Sequence, residues 1–492
     1  MKKREVFDRR DVPNPGREPT ADETPIEFAG WLPIFEYSGR CGTHPQFRHI
    51  AEPPPGYRFT WSEPAAWSKW KTSRPRRTRP SLAARIGKMI RPFLALFRPI
   101  PGCGIRTHLR TISALWSLFF KLRRGGARLG PILRFLQTRH FQSQVLLANS
   151  RGPVFLTSIP HTLGQNPWVL EIEDPTTLFF PFIPNGATRS LNIVESPYFP
   201  IVKTLLESDQ CKGIITHMKA TAEMLPTLFK SETISNKVSY TPLGISLPER
   251  WQQHTAQDET IHLLFTNSWS RAPLNFFMRG GLDILEAFTI LRQRYPQVRL
   301  TLRTNLPELK PRYHRMIEEG WVRVIDRYLT KEEMDDLLAG SHIFLLPSAR
   351  VHIVSVLQAM SFGLAVVASD GWGFDEILQH ERNGLVVRGR YGKASWADWE
   401  AGCLREDYRP MCRTDPVVVD GIVEAVSRLV EDRMLRRRLG LTARRDVKVN
   451  HNLEGWNQGL KAALDRALGS NTTSRDRKET DVCPVLPDGH AS

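Results

Sequence analysis

Residues 343–378 read IFLLPSARVHIVSVLQAMSFGLAVVASDGWGFDEIL. Apolar runs at 342–348 and 364–370 predict strands, and residues 356–363 between them predict a helix that ends at a glycine. A strand, a helix and a second strand in this order are typical of a crossover that leaves the two strands parallel. The segment therefore predicts a parallel sheet with helices packed on its faces.

The same alternation of strands and helices is predicted towards both termini. Further strands are predicted at 32–37, 154–159, 168–173, 213–218, 237–242, 261–268 and 298–304. Further helices are predicted at 219–230, 281–296, 331–341 and 374–379. We expect an α/β fold of two Rossmann-like, doubly wound domains that are joined near Leu243–Pro248.

A basic helical insert, residues 61–150, interrupts the first domain. Residues 64–150 hold 18 Lys and Arg and no Asp or Glu, so they account for the whole net charge of +17. Within them, 81–98 and 108–122 predict amphipathic helices with Trp, Phe and Leu, a composition that suits an anionic membrane surface. The alternatives are packing of the apolar stripes on the protein's own core and, least favoured, binding to nucleic acid.

Length and composition argue against several other classes of protein. A length of 492 residues is about three times that of a typical domain. The six cysteines are scattered without a C-x-x-C pair, which argues against a zinc knuckle or a disulfide framework and favours a reducing compartment. Neither a signal peptide nor a membrane-spanning segment is recognisable, so we expect a cytoplasmic protein, peripheral on the inner face of the membrane if the basic insert binds there.

Five parts are expected along the chain. They are a flexible lead-in at 1–28, an N-terminal Rossmann-like acceptor domain at 29–245 that includes the insert, a C-terminal Rossmann-like domain at 246–450, a crossover helix at 451–468 and a disordered tail at 469–492.

Three loops follow strands of the second domain and share one chemical character. Arg279 and Gly280 precede one helix, residues 348–352 precede the next, and Gly371 and Gly373 precede a third. The starts of helices attract anions, and glycines let the backbone approach a ligand closely. Since ligands of such sheets bind at the carboxyl ends of the strands, the three loops together predict a site for a phosphorylated ligand.

Several ordered motifs resemble glycosyltransferase family 4, whose members are retaining enzymes of the GT-B fold. KVSYTPLGI (237–245) is similar to the family's linker strand and RGGLDILEAF (279–288) to its phosphate-binding segment, while 343–387 is similar to its donor-site core. The resemblance implies two domains that face each other across a cleft, a nucleotide-sugar donor, transfer with retention, and neither a metal nor another cofactor. The match covers nearly half of the chain, and the insert has no counterpart in it.

The chain departs from the family at one motif. Family members place two glutamates eight positions apart, and these align with Arg350 and Gln358 here. The second glutamate holds the donor ribose in the family. Gln358 can form only an uncharged and therefore weaker hydrogen bond there. Arg350 inverts the charge beside the donor sugar.

The candidate site residues fall into three groups. For donor binding we select Gly42, Arg279, Gly280, Arg350, Ser355, Gln358, Gly371, Gly373 and Glu376. For catalysis we select Glu171 and Asp174, because a carboxylate on the acceptor side can orient a hydroxyl or take its proton, and His352, which can take over contacts to the donor sugar. His217 ends the strand at 213–218 and fits a structural role equally well, and no metal ligands are selected.

The sequence thus predicts a glycosyltransferase, of the hexosyltransferase type, that acts on a glycan or lipid-linked acceptor in polysaccharide or glycoconjugate biosynthesis. The alternative is an inactive GT-B protein that binds nucleotides or glycans within a glycan-assembly complex, which the changes at Arg350 and Gln358 favour.

Overall fold

The computed structural model describes residues 23–30, 53–60, 87, 105–136, 152–157, 160, 162–179, 192–249, 251, 260–267, 274–327, 329–349, 352–371, 373–390, 397–398, 403–404 and 412–469. Two parallel sheets of six strands each dominate these residues, with helices around them. The predicted fold class is confirmed.

The first sheet comprises β1 to β6 in the order β2-β1-β3-β4-β5-β6. Its strands are β1 (Thr24–Gly30), β2 (Tyr57–Thr60), β3 (Val154–Thr157), β4 (Trp168–Ile172), β5 (Cys211–Thr216) and β6 (Val238–Tyr240). Every pair in this sheet is parallel. Each residue of β4 is buried, as expected for a strand with both faces covered.

The second sheet has the order β12-β11-β10-β7-β8-β9 and is also parallel throughout. Its strands are β7 (Ile261–Thr266), β8 (Val298–Arg303), β9 (Val322–Ile325), β10 (Ile343–Leu346), β11 (Ala365–Ser369) and β12 (Leu385–Val387). The chain leaves β7 towards one edge and returns to build the other edge from β10. The loops after β7 and β10 therefore diverge and leave a crevice at the carboxyl ends of these strands.

Thirteen α-helices are described. They are α1 (Ile105–Arg124), α2 (Leu129–Leu136), α3 (Phe199–Glu207), α4 (Lys219–Phe229), α5 (Glu232–Ser235), α6 (Leu274–Met278), α7 (Gly281–Arg294), α8 (Pro311–Glu318), α9 (Lys331–Ala339), α10 (Ile353–Ser361), α11 (Pro416–Glu431), α12 (Arg433–Asn450) and α13 (Leu453–Leu468). Single 3-10 turns cover Pro175–Phe179 and Phe374–Glu376, and the short strands β13 (Ala397–Asp398) and β14 (Cys403–Leu404) form a hairpin.

Helix α13 returns from the second sheet to the first. It packs on β5, where Ala467 lies against Gly213, and Tyr57 of β2 donates a hydrogen bond of 2.6 Å to Asp465. At the crossing, the N–H of Ile245 donates to the carbonyl of His451 at 2.8 Å. The two sheets are therefore joined by two adjacent chain segments, one in each direction.

The structure corrects the sequence analysis at the N-terminus. The predicted lead-in at 1–28 includes most of β1, which is an inner strand between β2 and β3 with Ile26 and Phe28 buried. The helix predicted at 374–379 is a 3-10 turn of three residues. The helix predicted at 108–122 lies within α1 and is confirmed. The strand at 32–37, the helix at 81–98 apart from Gly87, and the tail after Gly469 lie outside the described residues.

Candidate functional site

The loop before α7 is pressed against the loop after β10. Gly280 has a φ of +77°, and a Cβ built on it would lie 2.6 Å from the carbonyl oxygen of Pro347. Only glycine accommodates both the left-handed backbone and this close approach. Gly280 was predicted to let the backbone approach a ligand. In the structure it lets the loop before α7 approach the loop after β10.

Hydrogen bonds join the loops further. The N–H of Ala349 donates to the carbonyl of Met278 at 2.9 Å, and the hydroxyl of Ser369 donates to the carbonyl of Ser348 at 2.6 Å. A Cβ on Gly371 would lie 3.1 Å from that same Ser348 oxygen. The loops that follow β10 and β11 and the segment before α7 therefore form one connected edge, and the anion site predicted there stays a prediction.

Arg279 lies at this edge, immediately before α7. The residue is only 4% exposed, and its guanidinium brings a positive charge to the edge. Helix α7 spans 14 residues, so its positive end adds to the charge of Arg279. The arrangement places a buried cation and a helix N-terminus side by side, a combination that favours phosphate oxygens.

Helix α10 turns one narrow face away from the core. Seven of its residues are buried, and the two that are not are Ser355 and Gln358. His352, also half-buried, directly precedes the helix. The three described residues selected from sequence on this segment are therefore only partly buried, and their roles stay predictions.

Gly373 begins the 3-10 turn with a φ of +82°, a conformation that favours glycine. Gly42 and Arg350 lie outside the described residues, so their selection for donor binding stays a prediction.

Glu376 has a different partner from the one the sequence analysis assigns. Its two carboxylate oxygens accept hydrogen bonds of 2.6 Å from the backbone N–H groups of Lys219 and Ala220. These groups begin α4, which belongs to the first sheet, so the carboxylate caps a helix of the other domain. Burial raises the pKa of Glu376, and the two N–H groups oppose that shift. The selection of Glu376 for donor binding stays a prediction.

A buried cluster of charge lies at the carboxyl ends of β4 and β5. The Nδ1 atom of His217 lies 2.8 Å from a carboxylate oxygen of Glu171, and its Nε2 atom lies 3.8 Å from Glu173. The side chains of His217 and Glu171 are fully buried, and Trp456 of α13 stacks edge-on against the imidazole with centroids 6.4 Å apart. Glu171, selected as catalytic, is thus part of an ion pair beneath the crossover helix.

The charge state of His217 follows from this pairing. Burial by itself lowers the pKa of His217, but the hydrogen bond to Glu171 and the negative charges of Glu171 and Glu173 outweigh burial and raise the pKa to about 9. The imidazole is therefore protonated at neutral pH. The strands predicted at 168–173 and 213–218 end in Glu171 and Glu173 and in His217, respectively. Because β4 and β5 are neighbours in a parallel sheet, these strand ends could have identified the pair from the sequence.

The side chain of Asp174 forms hydrogen bonds with the residues that directly follow it. Its Oδ1 atom accepts hydrogen bonds from the N–H of Thr176 at 2.7 Å and from the hydroxyl of the same residue at 2.8 Å. It thereby caps the 3-10 turn that begins at Pro175, an ordinary role for aspartate. Its catalytic selection stays a prediction that this geometry does not favour.

The described residues offer neither a metal site nor a membrane-spanning helix. No group of three or more His, Cys, Asp and Glu side chains is placed to hold a metal ion there. None of the helices in that part of the chain is long and apolar enough to cross a membrane. The expectation of a reaction without metal or cofactor stays a prediction.

Comparison with known proteins adds an independent observation. Residues 277–399 match the family model of the group 1 glycosyl transferases. This region begins beside Arg279 and includes the connected edge, Ser355 and Gln358. A search of curated proteins finds no match.

Solved structures of several glycosyltransferases are similar to the chain at low identity. A sucrose-phosphate synthase from Thermosynechococcus elongatus is 14% identical with a TM-score of 0.47, covering 68% of this chain and 79% of its own. The HepE protein of Anabaena, solved with UDP, is 13% identical with a TM-score of 0.44, covering 64% and 78%. A glycosyltransferase from Rickettsia africae is 10% identical with a TM-score of 0.45, covering 92% and 100%.

Proposed function

We propose that the chain is a glycosyltransferase that moves a sugar from a nucleotide-sugar donor to a glycan or lipid-linked acceptor. The observation that carries the proposal is the connected edge, where the start of α7, the loop after β10 and the loop after β11 meet beside Arg279. The match of residues 277–399 to group 1 glycosyl transferases supports the same reading.

We assign separate roles in donor binding to Arg279, to the start of α7 and to α10. The guanidinium of Arg279 and the N–H groups at the start of α7 bind the diphosphate and stabilise the negative charge that it gains as the glycosidic bond to it breaks. Because these groups are fixed before the reaction, they need no rearrangement when the charge develops. Ser355 and Gln358 lie on the accessible face of α10, where they form hydrogen bonds with the ribose and the sugar.

Three further features belong to the proposal, and two of them rest on the resemblance in the sequence. The first two are membership of glycosyltransferase family 4 with retention at the anomeric carbon and a role in polysaccharide or glycoconjugate biosynthesis. The third, a cytoplasmic location at the inner face of a membrane, rests instead on the scattered cysteines and the basic insert. His352, half-buried before α10, is the proposed contact to the transferred sugar.

The test is turnover. The full chain is incubated with each of a panel of nucleotide sugars, release of nucleoside diphosphate is measured with and without candidate acceptors, and the anomeric configuration of any product is read by NMR. Release from one donor with a retained anomer supports the proposal. Tight binding of a nucleotide sugar without release or transfer supports the alternative of an inactive binding protein, which the changes at Arg350 and Gln358 favour.

Gln358→Glu is expected to strengthen nucleotide binding about fivefold. A carboxylate accepts hydrogen bonds that are roughly twice as strong as those of an amide, a gain of about 1 kcal/mol. The dissociation constant for the bound nucleoside diphosphate, measured by calorimetry, reports the gain. Gln293→Glu on the exposed part of α7 introduces the same charge away from the site and should leave the constant unchanged. Equal effects of the two variants would remove Gln358 from the donor site.

A further inference from the structure

Helix α1 of the basic insert has two apolar faces. One is buried: Leu115, Leu118 and Leu122 pack with Phe135 of α2 and Leu205 of α3 in a small core of their own. Helix α3 also carries Leu206 into the main core, so α1 is fixed to the first domain. Packing on the protein's own core, the alternative that the sequence left open, therefore accounts for one face of α1 only.

The second face of α1 is exposed. Ile105, Leu109, Trp116 and Phe120 are 75%, 59%, 52% and 55% exposed. Their spacings of four, seven and four residues place them along one side of the helix. Since the side chains of a soluble surface helix are mostly polar there, a continuous apolar stripe of this kind marks an interaction surface. We call these four residues the outer face of α1.

The charged side chains of α1 itself are all basic. Arg106, Arg110 and Arg124 are exposed on the same helix, and Arg128 follows it. No Asp or Glu occurs between residues 64 and 150. A protein partner that covered the face would have to be strongly acidic, whereas an anionic bilayer offers negative headgroups beside an apolar layer.

The aromatic residues favour the bilayer in particular. The rings of Trp116 and Phe120 stack with centroids 6.1 Å apart, and Phe119 lies edge-on to both. Trp is enriched at membrane interfaces because its ring is apolar and its N–H can meet the headgroups. An apolar stripe with aromatic residues and basic flanks is the combination typical of a helix that lies in the membrane interface.

We propose that the outer face of α1 is a docking surface for an anionic lipid bilayer. Ile105, Leu109, Trp116 and Phe120 enter the interfacial layer, and Arg106, Arg110 and Arg124 pair with lipid phosphates. Docking holds the first domain, the predicted acceptor domain, against the membrane. The inference concerns the partner of this surface and holds whether or not the proposed transfer reaction occurs.

The test is co-sedimentation of the full chain with vesicles, without any nucleotide or sugar. Vesicles of equal parts phosphatidylcholine and phosphatidylglycerol are expected to bind the protein, and vesicles of phosphatidylcholine alone at least tenfold less. Trp116→Ser/Phe120→Ser is expected to lower the partition coefficient on anionic vesicles at least tenfold. Arg106→Gln/Arg110→Gln/Arg124→Gln should lower it similarly and reduce its dependence on salt.

The matched control is Met434→Ser/Val449→Ser, which removes two exposed apolar side chains from α12 and should leave vesicle binding unchanged. Thermal unfolding of each variant verifies the fold. Unchanged vesicle binding by Trp116→Ser/Phe120→Ser would overturn the assignment to this face. So would a dimer in sedimentation velocity that this variant dissociates, or tight binding to RNA or DNA without binding to anionic vesicles.

Discussion

Gly280→Ala is expected to weaken nucleotide binding at least tenfold and to destabilise the protein. A methyl group at this position would lie 2.6 Å from the carbonyl oxygen of Pro347, so the loop after β10 must move away from the start of α7. The left-handed backbone adds about 1–3 kcal/mol of strain. Because catalytic and binding groups tolerate displacements of less than about 1 Å, separating the two loops disrupts the site. Calorimetric titration and chemical unfolding measure the two effects.

Gly320→Ala is the matched control for that experiment. Gly320 has a φ of +73°, close to that of Gly280, but a Cβ there meets no atom within 4 Å. It should lose stability through backbone strain alone and bind nucleotide normally. If both variants bind nucleotide equally well, the contact between Gly280 and Pro347 does not shape the donor site.

Glu171→Leu is expected to lower the free energy of unfolding by about 3–5 kcal/mol. Removing one partner of a buried ion pair is strongly destabilising, because here it leaves the imidazolium of His217 without its hydrogen bond and with only Glu173, 3.8 Å away, as a counter-charge. The double variant Glu171→Leu/His217→Leu removes both charges and should be more stable than the single one. Glu223→Leu, which breaks the exposed pair with Lys219 in α4, should cost less than about 1 kcal/mol. A single variant as stable as the wild type would contradict the buried pair.

The pH dependence provides a second readout of the same pair. The pKa of His217 is raised from 6.5 to about 9 in the folded protein, so protonation favours folding. The contribution of the pair is complete below pH 6.5 and is lost as the pH rises through about 9. His217→Gln should therefore flatten the fall in unfolding free energy over that range. His314→Gln, at an exposed histidine, should retain the wild-type slope.

The sequence predicted the second sheet well because its strands are short apolar runs with helices between them. Residues 342–348 and 364–370 correspond to β10 and β11, whose residues are all buried. The same alternation located Arg279 and Gly280 at the start of α7, since functional loops follow the carboxyl ends of parallel strands. The pattern of apolar residues was sufficient for these strands and this helix start, because neighbouring residues in the sequence determine where they lie.

Other features could not be predicted because they depend on contacts between residues that are far apart in the sequence. The strand β1 reads TPIEFAG, a short segment with a proline that follows a charged stretch, and it is an inner strand because β2 and β3 flank it from later in the sequence. Glu376 lies 157 residues after its partner Lys219, so no local motif reveals that it caps α4. Likewise, an amphipathic pattern in α1 identified apolar stripes, but only packing shows which face α2 and α3 cover.

The central claim is that the edge beside Arg279 binds a nucleoside diphosphate, and calorimetric titration tests it most directly. The full chain is titrated with a panel of nucleoside diphosphates, alongside Arg279→Ala and the control Arg294→Ala, an exposed arginine at the far end of α7. We predict micromolar binding of one nucleotide, at least tenfold weaker in Arg279→Ala and unchanged in Arg294→Ala. Binding that survives Arg279→Ala, or no binding across the panel, would contradict the account.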